Sequence, residues 1–250
     1  MMMKYVIAFF FVVVVVSAIS EDEESRLALQ NPDLFQGDIL GIEPGDRNVI
    51  PQLHKRWPNK RVPYIIDSSL DTAKATALIL QAMNDYHINT CVKFVPRTTE
   101  KNYIKLFSGK GCYSYVGMIN RGEQPVSLGQ GCLRKGTIVH ELGHTVGFFH
   151  EQNRSDRDDY LIIYWQNIMT GMETQFTRLQ PSQNLLLTDF DHTSIMLYGN
   201  YAFSKDGRSV TMVAKNGQRL LEPYEKPGLT KSDIQRVNEM YNCKESRQFP

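Results

Sequence analysis

The hydrophobic pattern of this chain changes period several times, and each change marks an element. Met1 to Ser20 carries Lys4, an unbroken apolar run from Tyr5 to Val16, and then the small residues Ser17, Ala18 and Ser20. That is the pattern of a secretory signal peptide cut after Ala18 or Ser20. The run is too short to span a bilayer comfortably, and no second run of that length follows, so the expectation is a soluble extracellular protein. Val62 to Ile66 reads as a first strand. Ser68 or Ser69 can cap a helix running to about Tyr86, with Leu70, Ala73, Ala77, Leu80 and Met83 or Asn84 near one face. Val92 to Val95 and Tyr103 to Phe107 read as short strands. Near the end, Thr230 can cap a helix along which Ile234, Val237 and Tyr241 recur. A strand, a helix and further strands predict an α+β domain, a mixed sheet with helices packed on it.

Charge divides the chain further. Residues 21–47 hold Glu21, Asp22, Glu23, Glu24, Asp33, Asp38, Glu43 and Asp46 against Arg26 and Arg47, a balance of about −6. The remainder from Asn48 is mildly basic, and the whole chain carries a formal charge of +1. An acidic segment ahead of a basic domain suggests a detachable piece. The predicted organisation is residues 1–20 signal peptide, 21–47 propeptide and 48–250 catalytic domain, long enough for one substantial core. Trp57 and Pro58 read as core and turn. The cysteines are Cys91, Cys112, Cys132 and Cys243. An even count in a secreted chain predicts disulfides, and four cysteines allow three connectivities. None has zinc-ligand spacing.

The chemistry concentrates in residues 137–151, TIVHELGHTVGFFHE, which contain H-E-x-x-H-x-x-G-x-x-H. On a helix, His140 and His144 are offset by about 40° and project from one face. His150 would lie about 9 Å further along the axis if the helix continued, too far for a shared metal ion. The chain must therefore turn back, and Gly147 is the residue that enters the left-handed conformation at no steric cost. With six histidines and seventeen glycines in 250 residues, chance would produce this constellation on the order of once in 100,000 such chains, so a merely polar helix face is a poor explanation. Three ligands with an open position, beside Glu141 as a candidate general base, indicate a catalytic rather than a structural zinc ion. His54, His87 and His192 have no partner pattern and read as structural.

The run HELGHTVGFFHEQNRSDRD resembles the zinc signature of the astacin family within the metzincin metalloproteases, and the resemblance extends from about Phe35 to Cys243. It implies a zincin-type fold: a mixed twisted sheet and helices in an upper subdomain, an active-site helix ending at Gly147, and a largely irregular lower subdomain with a C-terminal helix. Phe35-Gln36-Gly37-Asp38 resembles the family's propeptide element, whose aspartate fills the open zinc position; by resemblance Asp38 holds a zymogen inactive. Arg47–Asn48 is then the expected activation bond for a trypsin-like protease, with Lys55-Arg56 and Lys60-Arg61 as other basic sites. Glu151 would pair, through water, with the new N-terminus. Residues 111–131 resemble the exposed sheet edge that binds substrate as an added strand, although Asn120-Arg121-Gly122 is also ordinary hairpin-turn composition. The implied disulfides are Cys91–Cys243 and Cys112–Cys132.

Ser194 to Gly199, SIMLYG, resembles the family's Met-turn, with Met196 as an apolar floor under the histidines and Tyr198 beside the metal. One position departs: Leu197 stands where the family usually has histidine. The Asn153-Arg154-Ser155 sequon lies inside the zinc signature and is expected to be unoccupied, and residues 154–159 read as a solvated ion-pair loop. The function implied is a secreted zinc-dependent endopeptidase with one Zn²⁺ held by His140, His144 and His150. It would be a monomer acting on peptides and activated by a protease, with no nucleic-acid or membrane partner. Two rivals stand beside it. A catalytically dead binding protein would show a lost ligand or base, and none is lost. A different zinc hydrolase is opposed by the peptide-binding edge and by Asp38.

Overall fold

The structure, a computed structural model, describes residues 19–42 and 55–243. The apolar run after Lys4, the Arg47–Asn48 bond and His54 lie outside the described residues.

Six strands form the main sheet: β1 (Ile39–Leu40), β2 (Arg61–Ile66), β3 (Lys93–Pro96), β4 (Tyr103–Phe107), β5 (Cys112–Tyr115) and β6 (Glu123–Leu128), in the spatial order β1-β5-β6-β4-β2-β3. The pairs β2–β3, β2–β4 and β4–β6 are parallel, and β5 runs antiparallel to β6. The expected exposed edge is therefore covered in this form. β1, from the acidic N-terminal segment, lies parallel to β5, with Ile39 opposite Ser114 and Leu40 opposite Tyr115.

Three helices pack around the sheet: α2 (Ala73–Asn89) and α3 (Lys135–Val146) between them form much of the core, and α1 (Glu21–Ala28) lies on the surface. α2 corrects the sequence expectation in two respects. Ser68–Leu70 is a separate 3₁₀ turn capped by Asp67, and the helix itself is capped by Thr72, whose Oγ1 accepts from the Ala75 amide. Its buried face is Ala75, Ile79, Ala82, Met83 and Tyr86, while Ala77 is exposed and Leu80 is 47% exposed. Side-chain bulk misleads here. The small Ala75 and Ala82 admit close packing, and Tyr86 is drawn inward because its hydroxyl donates to the Val139 carbonyl of α3 at 2.8 Å.

Beyond Gly147 the chain is irregular as far as Thr230, apart from short 3₁₀ turns and the antiparallel pair β7 (Leu161–Ile163) and β8 (Met212–Ala214). It then enters α4 (Lys231–Met240), where Thr230 and Asp233 form a reciprocal capping box. Disulfides join Cys91 to Cys243 and Cys112 to Cys132. The first ties the segment after α4 to the end of α2; the second closes the loop between β5 and the start of α3, a constraint of about 3 kcal/mol on the chain-entropy account. Among the described residues no helix is long and apolar enough to cross a membrane.

Candidate metal centre

α3 is buried along nearly its whole length and stops at Gly147, which has φ +129°. A helix end buried this deeply needs partners for its last four carbonyls, and each has one. Gly143 O accepts from the Gly147 and Phe148 amides, and His144 O accepts from the Gly117 amide. Thr145 O accepts from Trp57 Nε1, and Val146 O accepts from the Tyr241 hydroxyl. The turn at Gly147 is thus fixed by contacts from the segment leading into β2, the β5–β6 connection and the segment after α4. It brings His150 back against His140 and His144.

The three imidazoles are fully buried. His140 Nδ1 lies 2.7 Å from the Ile195 carbonyl, His144 Nδ1 2.7 Å from the Phe148 carbonyl, and His150 Nδ1 2.9 Å from Gln36 Oε1. Each of those partners is an acceptor, which assigns the ring proton to Nδ1 and turns every Nε2 lone pair inward. Burial pushes His150 down to about 3 and His140 below its usual range, which keeps both rings neutral, the form that ligates metal.

Asp38 completes the group. Its Oδ2 is 3.0 Å from His140 Nε2, and its Oδ1 is 3.2 Å from both His144 Nε2 and His150 Nε2. The four ligand atoms lie within 4.8 Å of one another. Asp38 Oδ1 and His144 Nε2 have no hydrogen-bond partner. Three buried lone pairs and a carboxylate converging without a proton between them repel one another unless a cation sits among them. The residues present therefore fit a zinc ion: neutral imidazole nitrogens and a carboxylate oxygen are its preferred hard-to-borderline donors, and each histidine has the acceptor behind it that ligating imidazoles require.

Glu141 sits beside this group with both carboxylate oxygens buried and unpartnered. Burial, and then the Asp38 charge, raise its pKa well above the ordinary value, so it takes up a proton readily. Met196 lies beneath α3; a Cβ built on Gly143 would stand 2.5 Å from its Sδ, so any larger residue there would push the thioether aside. Tyr198 stacks near His140 and His150, and its hydroxyl donates to Asp38 Oδ2 at 2.5 Å, with the Leu29 carbonyl at 2.9 Å competing for the same proton.

Several residues that build the site gave no such reading in sequence. The Met-turn is held by Asp233, which accepts from Ser194 Oγ and the Ile195 amide, and by Lys226, whose buried ammonium donates to the Ser194 and Leu197 carbonyls. Leu197 is fully buried, its backbone rather than its side chain engaged in this clamp. The Thr230–Asp233 capping box was the only local signal for Asp233. Gln152 Oε1 accepts from the Tyr198 amide. Glu151 is buried between Arg154 and Arg236, with contacts of 3.0 Å and 2.5 Å. The expected solvated loop is thus partly a correction: Arg154 and Arg157 are buried, Arg154 on Glu151 and Asp156, Arg157 on the Gln152 carbonyl. Asn153 is fully buried and donates to the Gln175 and Thr177 carbonyls, leaving no room for a glycan. His87 is structural, accepting from the Phe94 amide through Nε2, and His192 lies by the Tyr160 carbonyl.

Comparison with known proteins bears on the same residues. The family model described as Astacin, a peptidase family, matches residues 49–242. The chain is 41% identical over 230 residues to "Zinc metalloproteinase nas-4" of Caenorhabditis elegans, covering 90% of this chain and 70% of that protein. It is 39% identical over 261 residues to "Astacin-like metalloprotease toxin 1" of Loxosceles intermedia, covering 100% and 97%. Among solved structures, high choriolytic enzyme 1, a hatching enzyme zinc-protease from Oryzias latipes, aligns with a TM-score of 0.68 at 35% identity, covering 80% of this chain and 97% of that one.

Proposed function

The chain belongs to the astacin family of zinc metalloendopeptidases, and from that premise we propose that it is a secreted zymogen whose zinc is held by His140, His144 and His150, with Glu141 as general base and Asp38 as the inhibitory ligand. The observation that carries this reading is the buried convergence of three Nε2 atoms and the Asp38 carboxylate within 4.8 Å. When bound, zinc supplies a Lewis acid and lowers the pKa of a coordinated water toward about 7.

The chain's own residues do the remaining work. Glu141, with both carboxylate oxygens unpartnered beside the histidines, takes the proton of the attacking water and passes it to the leaving nitrogen. The Tyr198 hydroxyl, once released from Asp38 and Leu29, donates to the oxyanion that forms on the scissile carbonyl. Met196 and the Met-turn clamp keep the ligands in register from below. An extended peptide adds to the β5 edge, which β1 covers in the present form.

Residues 21–47 form the removable segment in this reading. A trypsin-like protease cuts at Arg47–Asn48, and Glu151 then receives the new terminus. The disulfides Cys91–Cys243 and Cys112–Cys132 support secretion, as does the signal-like Met1 to Ser20.

The test is cleavage of a peptide library by the intact and the trypsin-processed chain, with and without chelator. Cleavage should follow processing, stop on chelation and return with Zn²⁺. Cleavage indifferent to chelator would sink the assignment.

A further inference from the structure

The three imidazoles differ in what stands behind them. The Ile195 carbonyl behind His140 and the Phe148 carbonyl behind His144 both belong to the part of the chain that follows Asn48. The acceptor behind His150 does not. It is Gln36 Oε1, 2.9 Å from Nδ1 and 114 residues back along the chain.

Gln36 is held in that position at a cost. Its side chain is 1% exposed, and its backbone has φ +53°, the left-handed region that residues other than Gly, Asn and Asp seldom enter. A tight turn imposes the conformation: the Gly37 amide donates to the Leu34 carbonyl at 3.3 Å, and the Ile39 amide to the Phe35 carbonyl at 3.0 Å. Such a residue persists only where its surroundings over-determine it. Burial is unfavourable too, because Nε2 has no hydrogen-bond partner. Among the described residues, the hydrogen bond that the side chain makes is the one to His150. An amide nitrogen turned toward Nδ1 would drive the ring proton to Nε2 and remove the lone pair that a metal needs, so the oxygen is the end that serves the site.

We propose that Gln36 is a positioning residue for the metal, an outer partner of His150 that the removable segment lends to the centre. This rests on the zinc site under the proposed function, and it assigns the orientation of the third ligand to residues 21–47 rather than to the catalytic domain. Removal of that segment then changes the centre twice. It withdraws the Asp38 carboxylate, and it leaves the His150 Nδ1 proton to solvent. The centre is loaded in the uncleaved chain and grips zinc less tightly after cleavage.

The test is the zinc affinity of the uncleaved full chain, measured by competition with a chelator of known strength. Gln36→Met keeps the length of the side chain and loses the oxygen; affinity should fall by about 10–100-fold, the usual effect of deleting the outer partner of a ligating histidine. Gln36→Glu keeps an acceptor there and should hold zinc at least as well as wild type. Gln36→Asn suits the left-handed backbone better but is one methylene too short to keep the contact. Its thermal midpoint should therefore be no lower than that of wild type while its zinc affinity falls; a role confined to the turn would leave zinc affinity unchanged. After trypsin processing, wild type and all three variants yield the same catalytic domain, so their affinities should become equal. A difference that survived processing would place the effect in folding and overturn the proposal. So would Gln36→Met and Gln36→Asn chains that bind zinc as wild type does. An uncleaved wild-type chain that takes up no zinc at all would instead sink the functional reading beneath it.

Discussion

The Tyr198 hydroxyl lies 2.5 Å from Asp38 Oδ2, so one carboxylate faces three imidazoles and also captures the tyrosine beside them. The Leu29 carbonyl, 2.9 Å from the same hydroxyl, is the alternative acceptor for its proton. Both acceptors belong to the acidic N-terminal segment. That segment therefore occupies the ligand position, the tyrosine and, through β1, the sheet edge together.

Replacing Asp38 by Ala should release two of these at once. The uncleaved full chain is expected to gain peptidase activity that chelator removes, with Asp38→Asn intermediate because the amide is a weaker ligand. Initial rates on unprocessed protein decide it; an Asp38→Ala chain as silent as wild type would remove Asp38 from the inhibitory role.

Glu141→Gln should leave zinc content at one per chain while lowering turnover by about 10²–10⁴-fold, the usual range for a lost acid–base group. Metal analysis and peptide hydrolysis on the same preparation separate the base from the ligands. A normal rate would show that the proton goes elsewhere.

Gly147→Ala should cost about 1–3 kcal/mol, because φ is +129° there and alanine resists that conformation. The added Cβ would also stand 3.2 Å from Met240 Sδ. A thermal midpoint lower by several degrees is expected, together with weaker zinc retention, since His150 reaches its partners only through this turn. Unchanged zinc affinity would show that other contacts alone position His150.

Lys226 is buried, which pulls its pKa down to about 8 from the ordinary lysine range. Between about pH 8 and 10.5 the unfolded chain keeps a proton that the folded chain has released, so unfolding takes up a proton and this residue's contribution to stability rises with pH. Thermal midpoints of wild type and Lys226→Met over pH 7.5–10 should therefore diverge in favour of wild type, by at most about 1.4 kcal/mol per pH unit. Parallel curves would mean that Lys226 does not titrate in this window.

The helix face of α2 shows where reading a pattern stops working. Of the face expected from the helical period, Leu70 (in its separate turn) and Met83 are buried, but Ala73, Ala77 and Leu80 are exposed, and the core takes Ala75, Ile79, Ala82 and Tyr86 instead. The deciding contact is the Tyr86 hydroxyl on the Val139 carbonyl, 53 residues away. Arg154 fails for the same reason, since a charge-dense stretch does not disclose that Glu151 and Asp156 take its guanidinium inside the protein.

What the sequence determined alone is the set of converging histidines, the glutamate beside them and the need for a turn. His140, Glu141, His144, Gly147 and His150 lie within eleven residues, where helix geometry and covalent reach fix their relations before any tertiary contact forms. The tertiary structure alone decided how that turn is held, by Trp57, Gly117 and Tyr241 on the last carbonyls of α3. It also decided how Asp233 and Lys226 clamp the Met-turn. Those partners are separated by tens of residues, and no local periodicity encodes a hydrogen bond whose two ends become neighbours only when the core closes.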